Sequence, residues 1–220
     1  HEYRRLFYEG NEKDPAHRTM KPVWAFDGMV PAYRKFFDPD ITDIRYAIAQ
    51  YDAEIRYTDD QLGRLFEALK REGVYDDSLL VVFSDHGEVM DEHDGQFDHH
   101  GLYDANTRVA CMIRFPGGEY GGLRVKGMCA HTDLMPTILD LLGIAVPPQV
   151  EGRSLMPLVH GERKGNYETL FLGETTWQIK RGIRTSEWKF IRPQSRAARH
   201  DWHATGPELY NLVKDPDEQT

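Results

Sequence analysis

The chain has 220 residues, 40% of them hydrophobic and 29% charged, and a formal net charge of −9. That balance is globular rather than disordered or fibrous, and the net negative charge argues against a general nucleic-acid binder. No apolar run reaches the ~18 residues expected of a membrane span, and two cysteines, Cys111 and Cys129, make neither a disulfide framework nor a zinc knuckle.

Residues 1–40 are rich in aromatics, prolines and charges without sustained periodicity, so mostly irregular surface structure is expected there. Tyr3, Phe7, Tyr8, Trp24, Phe26, Tyr33, Phe36 and Phe37 are available to anchor it to a core or to line a cleft. Ile44, Ile48, Tyr51, Ile55, Leu62, Phe66 and Leu69 then recur at helical spacing, which predicts a helix over 44–72 with Gly73 as its C-cap. A short loop leads to Leu79–Phe83, an unbroken apolar run that reads as a strand buried on both faces, of the kind found in parallel sheets.

Thr107–Phe115 reads as a second strand and Leu123–Cys129 as a third, with both cysteines as buried strand thiols or a single bridge. Asp133–Leu142 reads as a helix with Thr132 as N-cap, Pro136 in its first turn and Gly143 at its C-cap, and Ser154–Val159 as a short helix. Beyond His160 the rhythm changes to short strands, Glu168–Gly173, Gln178–Thr185 and Trp188–Arg192, the last two joined at Ser186-Glu187. The order, α/β first and antiparallel strands last, divides the chain into a main layer over 1–160 and a small antiparallel subdomain over 161–220.

Two segments carry candidate chemistry. Asp85 and His86 follow directly on the apolar strand, where ligands of open α/β sheets sit, and they offer a hard oxygen and a borderline nitrogen to a metal. Gly87 keeps the next turn slim and is able to take positive φ. Downstream, His99-His100-Gly101 supplies imidazoles suited to acid–base work or to stabilising charge on a leaving group. Asp91, Glu92, His93 and Asp94 read as a solvated acidic loop, and capping accounts for Asp133 beside His131.

In four ordered segments the chain resembles the sulfatases of the alkaline phosphatase-like superfamily. They are YDAEIRYTDDQLGRLFEAL leading to LLVVFSDHGE, HHGLYDANTRVACMIRFPGG, HTDLMPTILDLLGI with EGRSLMPLVHG, and ELYNLVKDPDEQ. The resemblance implies a mixed sheet flanked by helices, followed by a small four-stranded antiparallel sheet. It implies that Asp85 and His86 complete a divalent cation site, Ca²⁺ by family habit with Mn²⁺ or Mg²⁺ as alternatives. It implies that His99, with His100 as its neighbour, contacts the sulfate and assists leaving-group departure from a small-molecule or carbohydrate sulfate ester.

The family's Cys/Ser-x-Pro-x-Arg motif, the source of its formylglycine nucleophile, is absent from these 220 residues, as is the N-terminal acidic pair of metal ligands. The expected reading is therefore the C-terminal portion of a sulfatase, inactive alone, with formylglycine upstream of a start, HEYRRLFYEG, that has no initiator Met. His86 stands where many sulfatases have Asn, which keeps a phosphodiester or phosphonate monoester hydrolase of the same superfamily open. A truncated, non-catalytic sulfatase-like protein is the reading from another class.

Overall fold

The computed structural model describes residues 2–25, 38–94, 97–175, 179–194 and 206–220. The chain divides into two compact units, residues 1–78 with 90–98 and residues 79–89 with 99–220.

The first unit is built around the predicted helix. Helix α1 (Lys21–Ala25) is short, and α2 runs from Ile44 to Arg71, about 42 Å at 1.5 Å per residue. Asp43 caps its start, the carboxylate accepting from Arg45 N at 3.1 Å. At its end Gly73 takes φ +71°, and Val74 N donates to Leu69 O while Gly73 N donates to Lys70 O, a Schellman closure. The periodic stripe is only partly covered. Ala49 and Ala53 are buried, whereas Tyr51 and Ile55 stay exposed. Tyr8, Met20 and Val23 are buried from the N-terminal segment, and the Tyr8 ring meets Tyr46 edge-on at 5.3 Å. Phe26, Tyr33, Phe36 and Phe37 lie outside the described residues.

In the second unit, strand β1 (Leu80–Phe83) pairs with β2 (Cys111–Arg114), in register from Leu80↔Arg114 to Phe83↔Cys111. The pairing is antiparallel, and Phe83 is 49% exposed. The expectation of a parallel strand buried on both faces is thus corrected: among the described residues β1 has one paired edge, and none of its four residues is fully buried. Strand β2 starts later than predicted because Asp104–Thr107 forms a helical turn, α3, closed by Thr107 N donating to Tyr103 O at 2.9 Å. Leu123–Cys129 forms no ladder. Met128 O accepts one bond, from Asn166 N.

Helix α4 (Leu134–Leu141) follows a 3₁₀ turn over His131–Asp133, so Thr132 lies inside the turn and Asp133 takes the N-cap position, its Oδ2 accepting not from the helix but from Ala130 N at 3.0 Å. Gly143 takes φ +66° and closes the other end as expected. Asp133 is fully buried and also accepts from Arg153 N, Asn166 Nδ2 and Tyr167 Oη, which ties three segments to one carboxylate. Its role is far larger than a cap. Helix α5 (Met156–Val159) ends this stretch.

The C-terminal strands β3 (Leu170–Glu174), β4 (Lys180–Arg184), β5 (Trp188–Pro193) and β6 (Glu208–Asn211) form an antiparallel sheet in the order β3-β4-β5-β6. Thr185 N donating to Trp188 O closes the predicted hairpin. On the inner face Ile191 packs with Leu102 and Tyr103, joined by Leu172 and Tyr210. On the outer face Phe171, Ile183, Phe190 and Leu209 are cross-strand neighbours in one exposed row. Both cysteines are free and surface-exposed rather than buried or bridged, although partial burial pushes both thiols up. Among the described residues no helix is long and apolar enough to cross a membrane.

Candidate active site

All four candidate residues lie in the second unit, around the carboxyl end of β1. Ser84 N extends the pairing by donating to Ala110 O at 3.1 Å, after which the chain turns. His86 N donates to Asp85 Oδ1 at 3.0 Å, and Ser84 Oγ donates to His86 O at 2.5 Å. The turn needs its glycine for closeness rather than for φ, which is not positive at Gly87. Gly87 N donates to Asn106 O at 2.8 Å, and a Cβ there would stand 1.9 Å from Ala105 O.

His86 Nδ1 lies 2.8 Å from Gly87 O. A carbonyl only accepts, so this contact selects the neutral tautomer with its proton on Nδ1, in which Nε2 is the nitrogen open to an ion. That Nε2 is 3.7 Å from Asp85 Oδ1. Two donors bound to one cation at roughly 2.0–2.5 Å lie about 3–4.5 Å apart, so this pair fits a shared ion. The donor atoms of His86, Glu88 and His99 also fall within 4.8 Å of one another, which adds a carboxylate that the sequence reading passed over.

His99 stacks on His86 with ring centroids 4.3 Å apart and meets His100 at 4.8 Å. His99 Nδ1 is 3.9 Å from Glu88 Oε2, and His100 Nδ1 is 4.0 Å from Glu174 Oε1. His131 supports the strand end, its Nε2 donating to Ser84 O at 2.9 Å. A cavity of about 450 Å³ opens here, with Asp85, His99, His100, Asn106, His131 and Glu174 among its lining residues. Nothing in the local sequence marks His131 or Glu174 as a site residue; the fold alone brings them to the cavity wall. The acidic loop 91–94 belongs to the first unit, where Glu92 accepts from Met90 N.

The histidine segment is held from behind by ionic contacts buried against the C-terminal sheet. Tyr103 Oη donates to Glu208 Oε2 at 2.7 Å, and burial followed by that bond drives its phenol far up. Asp104 accepts from Arg184 Nε and Nη2 at 3.0 and 2.8 Å, contacts Lys189 Nζ, and donates its own N–H to Glu218 Oε2. Lys189 Nζ is 2.8 Å from Glu218 Oε1. The ELYNLVKDPDEQ tail thus supplies two carboxylates that lock the residues just after His99 and His100.

Burial pushes the Asp104 carboxyl up, but hydrogen bonds from Arg184 and Lys189 outweigh it and bring it down from 3.8 to about 2. A depressed folded pKa gives stability that is present above the unfolded value and lost as pH falls through the folded one. The increment is about 2 kcal/mol. The unfolding free-energy gap between the wild type and Asp104→Asn should therefore narrow from pH about 4 down to about 2. A gap that stays constant across that window would refute the assignment.

Residues 16–144 match the sulfatase family, and residues 91–220 match the C-terminal family of N-sulphoglucosamine sulphohydrolase. The chain belongs to the sulfatase family. This sulfatase chain is 31% identical over 200 residues to arylsulfatase K of Bos taurus, covering 84% of itself and 34% of that protein. It is 30% identical over 177 residues to an N-acetylglucosamine-6-O-sulfatase of Bacteroides thetaiotaomicron, covering 76% of itself and 30% of that protein. Among solved structures it resembles a phosphonate monoester hydrolase of Agrobacterium radiobacter, with a TM-score of 0.68, 29% identity, and coverage of 81% of this chain and 37% of that one. The chain spans about a third of the length of the curated relatives it matches. The alkaline phosphatase-like α/β fold class with a small antiparallel C-terminal sheet stands as expected.

Proposed function

We propose that this chain is the part of a sulfuric ester hydrolase that carries half of its metal site and its leaving-group histidine. The observation that carries the proposal is the meeting of Asp85, His86 and His99 at the end of β1, beside a polar cavity. Asp85 Oδ1 and His86 Nε2 would hold one divalent cation, Ca²⁺ by family habit or, favoured by the imidazole, Mn²⁺, with Mg²⁺ as the third choice. Such an ion polarises the oxygens of a bound sulfuryl group. His99 would orient the sulfate and protonate, or stabilise charge on, the departing alcohol oxygen, with His100 as the neighbouring candidate.

The sequence holds no Cys/Ser-x-Pro-x-Arg motif. The nucleophile, a formylglycine by family habit, would come from upstream sequence, and residues 1–220 alone are expected to turn over no sulfate ester. On this reading 1–160 belongs to the α/β catalytic domain and 161–220 to its small antiparallel subdomain, a division supported by β3–β6 all following His160.

A phosphonate monoester or phosphodiester hydrolase is the second reading. It is favoured by His86 and by the likeness to the Agrobacterium enzyme. In a longer product that contains the nucleophile motif, aryl sulfate should outpace aryl phosphodiester, and equal turnover would undercut the sulfatase label. For the chain itself, calorimetric titration with Ca²⁺, Mn²⁺ and Mg²⁺ should show one saturable site. Asp85→Asn combined with His86→Ala should weaken it by about tenfold or more. Undiminished binding in that double variant would remove both residues from the metal site.

A further inference from the structure

We propose that Asn106 is a positioning residue that joins the two halves of the site, holding His99 and His100 at a fixed separation from the turn at Asp85 and His86. The inference rests on the reading of that turn as a cation site. Asn106 is 4% exposed and lines the cavity from α3. The helical turn fixes its main chain, Asn106 N donating to Tyr103 O at 3.0 Å and Thr107 N to the same oxygen at 2.9 Å. Asp104 ties that turn to the C-terminal sheet through Arg184 and Lys189. From this anchored position one residue reaches both functional segments. Its main-chain carbonyl accepts from Gly87 N, next to His86, at 2.8 Å, and its Nδ2 donates to His100 O at 2.7 Å.

Both the type and the length of this side chain matter. His100 O can only accept, so Nδ2 faces the histidine segment and the amide has one orientation. Aspartate, of the same shape, would turn a carboxylate toward that carbonyl. Glutamine would be a methylene too long, because Gly101 already passes so close that a Cβ there would stand 3.2 Å from Asn106 Nδ2. The other end of the amide, Oδ1, is buried, and among the described residues it receives no donor. A buried acceptor without a donor costs stability, so stability alone favours an amide satisfied at both ends or an apolar side chain. Asn106 instead directs its side-chain hydrogen bond to the segment that carries the imidazoles. Any drift of His100 also moves His99, which meets it at 4.8 Å between ring centroids and stacks on His86 at 4.3 Å.

The test uses the 220-residue chain with Mn²⁺, whose unpaired electrons broaden nearby NMR signals by the inverse sixth power of distance, and with Mg²⁺ as diamagnetic reference. In the wild type, Mn²⁺ should broaden the imidazole signals of His86, His99 and His100. Asn106→Ala keeps the main-chain carbonyl that Gly87 N meets. Its Mn²⁺ affinity by calorimetry should therefore fall by less than the about tenfold expected when a residue that orients a ligand is lost. His99 and His100 should move. A drift of about 1 Å, the looseness of a site that has lost a supporting contact, changes their broadening by about twofold or more while that of His86 stays. Without any cation, the Gly101 amide, which follows the His100 carbonyl, should shift as well. Asn106→Asp keeps the volume, removes the donor and should give the same displacement. Urea unfolding shows that each variant is folded, and the isosteric aspartate variant carries the test if alanine is not tolerated. Unchanged broadening of His99 and His100 in both variants, or a displacement with alanine but none with aspartate, would overturn the positioning role and leave the cation site standing. If Mn²⁺ broadens none of these imidazoles in the wild type, the cation reading itself fails, and this inference with it.

Discussion

Lys189→Met should destabilise the chain by about 3–5 kcal/mol, the range for breaking a buried ion pair by removing one partner. Lys189 is fully buried, and its ammonium faces two carboxylates, Asp104 and Glu218. Methionine matches the length of the side chain but leaves those carboxylates like-charged and desolvated, with Arg184, which pairs with Asp104, the cation beside them among the described residues. Because Glu218 Oε2 also accepts from Asp104 N at 2.5 Å, the disturbance reaches the backbone that follows His99 and His100. Urea unfolding measures the loss, and amide exchange over 99–107 should accelerate in step. Adding Glu218→Gln to Lys189→Met should recover part of the loss by removing one stranded charge. A loss below about 1 kcal/mol would mean that water reaches these groups and that the tail does not hold the histidine segment.

Gly87→Ala should be nearly as damaging, for a steric reason. A Cβ at Gly87 would stand 1.9 Å from Ala105 O and 2.9 Å from Ala105 C, and both atoms are backbone. No rotamer can relieve that contact, so the bond from Gly87 N to Asn106 O must lengthen and the Asp85–His86 turn must move away from α3. A cost of about 3 kcal/mol, the upper end of ordinary overpacking, is expected. Metal affinity should fall with stability, because Asp85 and His86 sit on the displaced turn. Gly63→Ala is the control: nothing lies within 4 Å of the added atom, and alanine is the better helix former. If the Gly87 and Gly63 variants unfold at the same urea concentration, the close approach of the turn to α3 is wrong.

Local structure was widely legible in the chain. The 3.6-residue recurrence and Gly73 predicted α2 nearly to the residue, and Gly143 closed α4 in the same left-handed conformation. Turn chemistry located the β4–β5 hairpin. Faces were harder. In Trp188-Lys189-Phe190-Ile191, polarity suggests that Trp188 and Phe190 point inward, yet Lys189 and Ile191 are the buried pair. The same reversal leaves Phe171, at 81% exposure, on the outer face. The inner face of the sheet is chosen by Asp104, Glu208 and Glu218, whose pairing with Lys180, Arg184 and Lys189 spans up to 85 residues of sequence.

The residue types at the end of β1, Asp85 and His86, and the imidazoles that follow, His99 and His100, are legible in the chain without its fold. Those are local facts, set by an apolar run and the turn that stops it. The stacking of His99 on His86, the approach of Glu88 to both, and the place of Glu174 and His131 in the cavity wall come only with the folded chain. So does the need for Gly87, which is for backbone contact rather than for φ. Periodicity and turn propensity act over a few residues. Distances between side chains remote in sequence depend on which faces are packed and which charges are paired, and no local pattern encodes them.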